Sequence, residues 1–140
     1  MNKKDDFQDA VDALERQDYK TAYKLFRLSA EQGNEKAQFY LGSLYHLGKV
    51  VPQDYKEAIK LYRLAAEQGY AKGQSNLGLM YAIGQGVPQD YVSAHMWMNL
   101  SGSNGNKNAI ENRDIIEKRM APQQIQKAKE LAREWMEKHK

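Results

Sequence analysis

The chain has 140 residues, 41% hydrophobic and 28% charged, which is enough for one globular domain with a real core. It has no cysteine, which excludes disulfides, thiol chemistry and most structural zinc sites. The net charge of +3 is uneven: residues 1–18 sum to −3, residues 19–114 to +3 and residues 115–140 to +3. This is a shallower basic bias than a dedicated nucleic-acid binder carries. No run approaches ~20 consecutive apolar residues, so no membrane insertion is expected.

In chain order, Met1-Asn2-Lys3-Lys4-Asp5-Asp6 has two lysines and no apolar stretch behind them, so no signal peptide is expected in this chain. Phe7, Ala10, Val11 and Leu14 then follow helical spacing, which predicts an acidic N-terminal capping helix within residues 1–18. From Tyr19 the chain repeats itself. Tyr19, Tyr55 and Tyr91 are 36 apart, as are Ala22, Ala58 and Ala94, and Gly33, Gly69 and Gly105. Residues 19–54 and 55–90 agree at 21 of 36 positions; the third copy, 91–120, is degenerate after its first helix.

Each copy reads as two helices. Ala22, Leu25, Phe26 and Ser29 mark the buried stripe of the first, and Gly33 ends it. Ala37, Leu41, Leu44 and Tyr45 mark the second. Gly42 and Gly78 fall inside second helices, where glycine costs ~1 kcal/mol against alanine, so a close helix–helix approach is expected there. Asp54 and Glu57 have capping-box spacing. Residues 121–140 close the chain with a second capping helix carrying Ile125, Ala128, Ala132 and Trp135, with Pro122 in its first turn. Because neither helix of a pair can bury its stripe alone, the pairs must stack. The expected fold is all-α, an α/α solenoid of 36-residue helix-turn-helix repeats forming one domain.

Ala65-Ala66-Glu67-Gln68-Gly69, Leu77-Gly78-Leu79-Met80-Tyr81 and Gly84-Gln85-Gly86-Val87-Pro88-Gln89-Asp90-Tyr91 resemble the SEL-one-like repeat, a relative of the tetratricopeptide repeat. The tail from Ala94-His95-Met96-Trp97 to Trp135 resembles the closing segment of many bacterial members. The resemblance implies a right-handed superhelix whose first helices line a concave face, and adaptor, scaffold, inhibitor or immunity-type roles. It also implies the bacterial periplasm or secretion if a leader precedes the chain, and the cytoplasm otherwise. The cysteine-rich branch of the family, with its β-lactam binding, has no counterpart here. Val50 stands where the second copy has Gly86, so the first loop is expected to take another path. Arg113 and Asp114 replace Leu77 and Gly78, so the third second-helix is expected to pack differently.

No catalytic constellation emerges. His46, His95 and His139 are far apart in the chain, and none forms an i, i+4 ligand pair, so no metal or cofactor is expected and the chain does not read as an enzyme. Trp97 aligns with Leu25 and Leu61 and is expected in the core, whereas Met96 aligns with Lys24 and Lys60 and is expected to be exposed. The first helices also carry a row of Tyr23, Ile59 and His95 beside a row of Arg27, Arg63 and Asn99, each at 36-residue spacing. Aromatic and arginine side by side is the composition of interface hot spots, so these six are the expected partner-binding residues. The expected partner is a protein or peptide with an acidic segment, bound by a monomer. A cell-wall or small-molecule binder with hydrolase activity is one alternative, and nucleic-acid binding through the basic C-terminal helix is another.

Overall fold

The computed structural model describes residues 5–140, so Met1-Asn2-Lys3-Lys4, part of the 1–18 segment, lie outside the described residues. Among the described residues there are eight α-helices and no strand. They fall into two compact units, one ending at Gln68 and the next starting at Gly69.

The first unit holds α1 (Asp6–Glu15), α2 (Tyr19–Glu31), α3 (Glu35–Leu47) and α4 (Tyr55–Glu67). Each begins with a side-chain cap that satisfies an orphan backbone donor. Asp5 accepts from the amides of Phe7 and Gln8, Asp18 from Thr21, Asn34 from Ala37 and Asp54 from Glu57. Thr21 also holds the Asp18 carboxyl below its usual range. Ala10 and Ala13 of α1 are fully buried in a core that includes Ala22, Phe26, Ala37 and Leu41. Phe7, Phe26 and Tyr40 form an aromatic knot, with ring centroids 5.6 to 6.1 Å apart. α3 packs most extensively on α4, and Gly42 makes that possible: a Cβ there would stand 3.0 Å from the Tyr62 ring.

The second unit holds α5 (Ala71–Ile83), α6 (Tyr91–Ser103), α7 (Lys107–Glu117) and α8 (Pro122–Lys138). Here α6 is the hub, packed by α5, α7 and α8. Ala94, Met98, Ala109, Ile116, Met120 and Ala128 form its core. Trp97 is buried as expected. Met96, expected to be exposed, is half-buried on a helix that three others flank. Ala121 has no side chain to cap α8, but Gln124 Oε1 reaches back and accepts from the Ala121 amide at 2.9 Å. Trp135 meets Trp97 edge-on at 6.1 Å and stacks on His139 at 3.7 Å.

An amide pair with one buried member, Gln38 or Gln74, recurs at 36-residue spacing. In the first unit Gln68 Nε2 donates to Gln38 Oε1 at 2.8 Å, and Gln38 Nε2 donates to the Ala30 carbonyl. In the second, Asn104 Nδ2 donates to Gln74 Oε1 and to the Gly69 carbonyl, both at 3.1 Å. Buried side-chain amides persist only where such partners exist.

The turn after α3 does not take a different path. Val50 sits at φ 71°, beside 74° for Gly86 in the turn after α5. The amides of Asp54 and Asp90 donate to the carbonyls of Tyr45 and Tyr81, both at 2.9 Å, and Gln53 and Gln89 donate to those of His46 and Ala82, also both at 2.9 Å. The shared hydrogen bonds hold the turn, and a β-branched residue is forced into the left-handed region, a strain of roughly 1–3 kcal/mol.

Val50→Gly should therefore raise stability by about 1 kcal/mol, after allowing for glycine's greater freedom in the unfolded chain. Gly78→Ala should lower it by about 1–2 kcal/mol despite alanine's better helix propensity, because the new Cβ would meet the Ala94 carbonyl oxygen at 3.1 Å. Urea midpoints of the two variants should move in opposite directions. Trp135→Ala should cost about 2 kcal/mol, less than a fully buried tryptophan because the ring is half-exposed. An unchanged midpoint would show that the Trp97–Trp135 contact adds nothing to stability.

Candidate functional site

Of the six residues marked by the repeat, two are closed to a partner. Ile59 is 6% exposed and His95 0%. The reason is helical phase: these positions lie beside the buried stripe, and whatever fills them faces the neighbouring helix. Tyr23, at the same phase in α2, is half-buried and meets Tyr45 of α3, with the two phenol oxygens 2.9 Å apart. His95 of α6 meets Glu117 of α7, Nε2 to Oε1 at 2.8 Å. Each residue of the second pair lies 72 positions after its counterpart in the first, so Tyr23–Tyr45 and His95–Glu117 are the same rung in different chemistry. A carboxylate can only accept, so Nε2 carries the proton, and Nδ1 is left buried without a hydrogen-bond partner.

Asn99 is likewise engaged by α7, where Arg113 Nη1 donates to Asn99 Oδ1 at 2.8 Å. His95 and Asn99 on α6 thus face Glu117 and Arg113 on α7, one turn apart on each helix. The substitution of Arg113 for a leucine does alter the packing, by exchanging an apolar contact for a polar rung. Arg63 is half-buried and Arg27 exposed.

Tyr23 and Arg27 do come together with other groups. They line a 440 Å³ groove in the first unit whose floor is Ala30, Leu41, Leu61 and Leu64, with Tyr45 also in its wall. Glu31, Glu57 and Lys60 supply its remaining charges. Arg27 Nε bonds Glu31 Oε1 at 3.3 Å, an exposed i, i+4 pair worth only ~0.3–0.5 kcal/mol. The Tyr23 hydrogen bond, followed by burial and the nearby Glu57 charge, pushes Tyr45 up to about 12, while Arg27 pulls the other way.

A second polar cluster lies outside the repeated pattern. The Tyr62 phenol lies 3.1 Å from Ser43 Oγ and 3.2 Å from His46 Nδ1, and Ser43 also donates to the Phe39 carbonyl. The phenol separates serine from histidine, so the arrangement ties α3 to α4 rather than activating a nucleophile. Its signal in the sequence was a departure from the repeat, since the next copy has Leu79, Ala82 and Met98 at these three positions. Among the described residues no group of three or more His, Cys, Asp or Glu is placed to hold a metal ion, and no helix is long and apolar enough to cross a membrane.

The family profile of the Sel1 repeat matches residues 12–34, 35–70, 71–106 and 121–138. Its phase pairs α3 with α4 and α5 with α6, which are the tightest pairs in the two units, and it passes over α7. A protective antigen of uropathogenic Escherichia coli, c5321, displaying an SLR fold, is similar over 96% of this chain and 30% of its own, at 35% identity and a TM-score of 0.90. A Sel1 repeat protein from Oxalobacter formigenes is 31% identical over 76% of this chain and 43% of its own, with a TM-score of 0.70. Cysteine rich protein B of Helicobacter pylori shares the fold at 22% identity, 66% and 69% coverage and a TM-score of 0.64. The chain thus spans less than half the length of the first two. These likenesses place it among helical-repeat solenoids. No curated protein matches the sequence.

The Tyr45 shift has a measurable sign. Its folded value of about 12 lies above the unfolded value near 10, so the stabilisation it reports is complete below pH ~10 and is lost as pH rises through 12. Difference titration of tyrosinate absorbance, wild type minus Tyr45→Phe, should show one phenol ionising near pH 12. In Tyr23→Phe the same phenol should move back toward 10; an unmoved midpoint would break the assignment to the Tyr23 bond.

Proposed function

This chain belongs to the Sel1 repeat family, and on that footing we propose that it binds a partner protein through the groove of its first unit. Sel1 repeat proteins generally serve as protein–protein interaction modules, and the fold is typically a non-enzymatic scaffold. The observation that carries the proposal is the groove itself. An apolar floor, with Leu64 46% exposed, lies between ionised side chains and beside a paired phenol wall. Tyrosine and arginine around a desolvatable apolar centre is hot-spot composition. The protein acts as an adaptor, scaffold or immunity-type inhibitor, and as a monomer.

The contact set is Tyr23, Arg27, Tyr45, Lys60 and Leu64. It replaces the longer row that would have continued through Ile59 and His95, whose side chains are buried.

Affinity capture with the chain as bait, followed by binding measurements on the captured protein, tests this. Tyr23→Ala/Arg27→Ala should weaken binding by about 2–5 kcal/mol if the arginine meets a desolvated carboxylate, chiefly through faster dissociation. The urea midpoint of the double variant should fall with the loss of the half-buried Tyr23 ring and its bond to Tyr45, so Arg27→Ala alone, an exposed change, serves as the stability-neutral control. Full affinity in the double variant would exclude the groove and direct the search to the second helices or to α1.

A further inference from the structure

Resting on the groove reading above, we propose that the bound segment is charge-balanced: one large apolar side chain flanked by one acidic and one basic residue, rather than an acidic run. Several groups that line the groove have no partner within the described residues. Arg27 uses Nε for Glu31, and among the described residues its two terminal nitrogens have none. The Lys60 ammonium, on the same groove, has none among the described residues either. Two phenols sharing one hydrogen bond leave one O–H without an acceptor. These groups call for a carboxylate.

Glu57 calls for the opposite charge. Its backbone amide is taken by the cap at Asp54, but among the described residues its carboxylate has no hydrogen-bond or ion-pair partner, and it lies close enough to raise the Tyr45 phenol. Two cations and two carboxylates therefore border one apolar floor. An acidic run would satisfy Arg27 and Lys60 while forcing further carboxylates against Glu57 and Glu31. Like charge at a closing interface is penalised, so the segment that fits places an acid at Arg27, a base at Glu57 and its apolar side chain over Leu41, Leu61 and Leu64. The groove volume of 440 Å³ lies at the small end of ligand pockets, which suits a short segment.

The test is selection from a random dodecapeptide display library on the whole chain, with the Leu64→Glu variant as the subtracting control. The expected winners carry a large apolar residue with an acid and a base within about four positions of it. Selection on Arg27→Ala should lose the acid from the consensus, and selection on Glu57→Gln should lose the base. A synthetic winner should bind each variant at least tenfold more weakly than wild type. Its association rate should be nearly independent of salt, because neither side carries net charge at the contact. Acidic runs without a base, one consensus shared by wild type and both variants, or no enrichment over Leu64→Glu would each overturn the inference. If the captured partner still depends on Tyr23 in any of these cases, the groove reading stands and only the charge balance falls.

Discussion

A methyl group at Gly78 would press on the carbonyl oxygen of Ala94, and one at Gly42 on the ring of Tyr62. This closeness is the constraint on which the rest depends. Helices that approach so nearly leave little room between them, so their neighbours must be small or must hydrogen-bond. Hence the fully buried alanines at 58, 65 and 94 and the amide pairs Gln38–Gln68 and Gln74–Asn104. Glycine's unfavourable helix propensity of ~1 kcal/mol is a small term beside the packing it permits.

Within that frame the rung that joins a first helix to its second decides what each repeat can offer. In the first unit the rung is two phenols, half-buried, at the edge of an open groove. In the second it is His95 with Glu117, reinforced one turn away by Asn99 with Arg113, and these side chains are turned onto α7. The same backbone geometry therefore presents chemistry in one place and consumes it in the other.

The fold was legible in the sequence because repetition is a strong signal: 21 matching positions in 36 fix helix lengths, turns and stripe together. The site was less so. Spacing places Tyr23, Ile59 and His95 at one phase but does not say which way that phase faces by a margin of one side chain. Isoleucine buries there, histidine buries with a carboxylate partner, and tyrosine stays half out because its hydroxyl needs a partner near solvent. Glu57, Lys60 and Leu64 carry no such signal, because 36-residue spacing aligns equivalent positions of successive repeats, whereas the groove is built across helices. The Val50 turn shows the converse. A single departure from the repeat suggested a new path, but the hydrogen bonds of the turn outweigh one residue's backbone preference.

The amide pairs and aromatic contacts carry one more consequence. Gln38 meets Gln68, Phe7 meets Tyr40 and Trp97 meets Trp135, and none of these spans more than about forty residues of chain. Loop-closure entropy rises only as the logarithm of the span, so ordering such neighbours is entropically mild. Contact order is accordingly low, and a core can close while most of the polypeptide is still being synthesised, with no distant strand to wait for. A chain built this way can be lengthened or shortened by whole helix pairs over evolutionary time without asking any residue to find a partner far away.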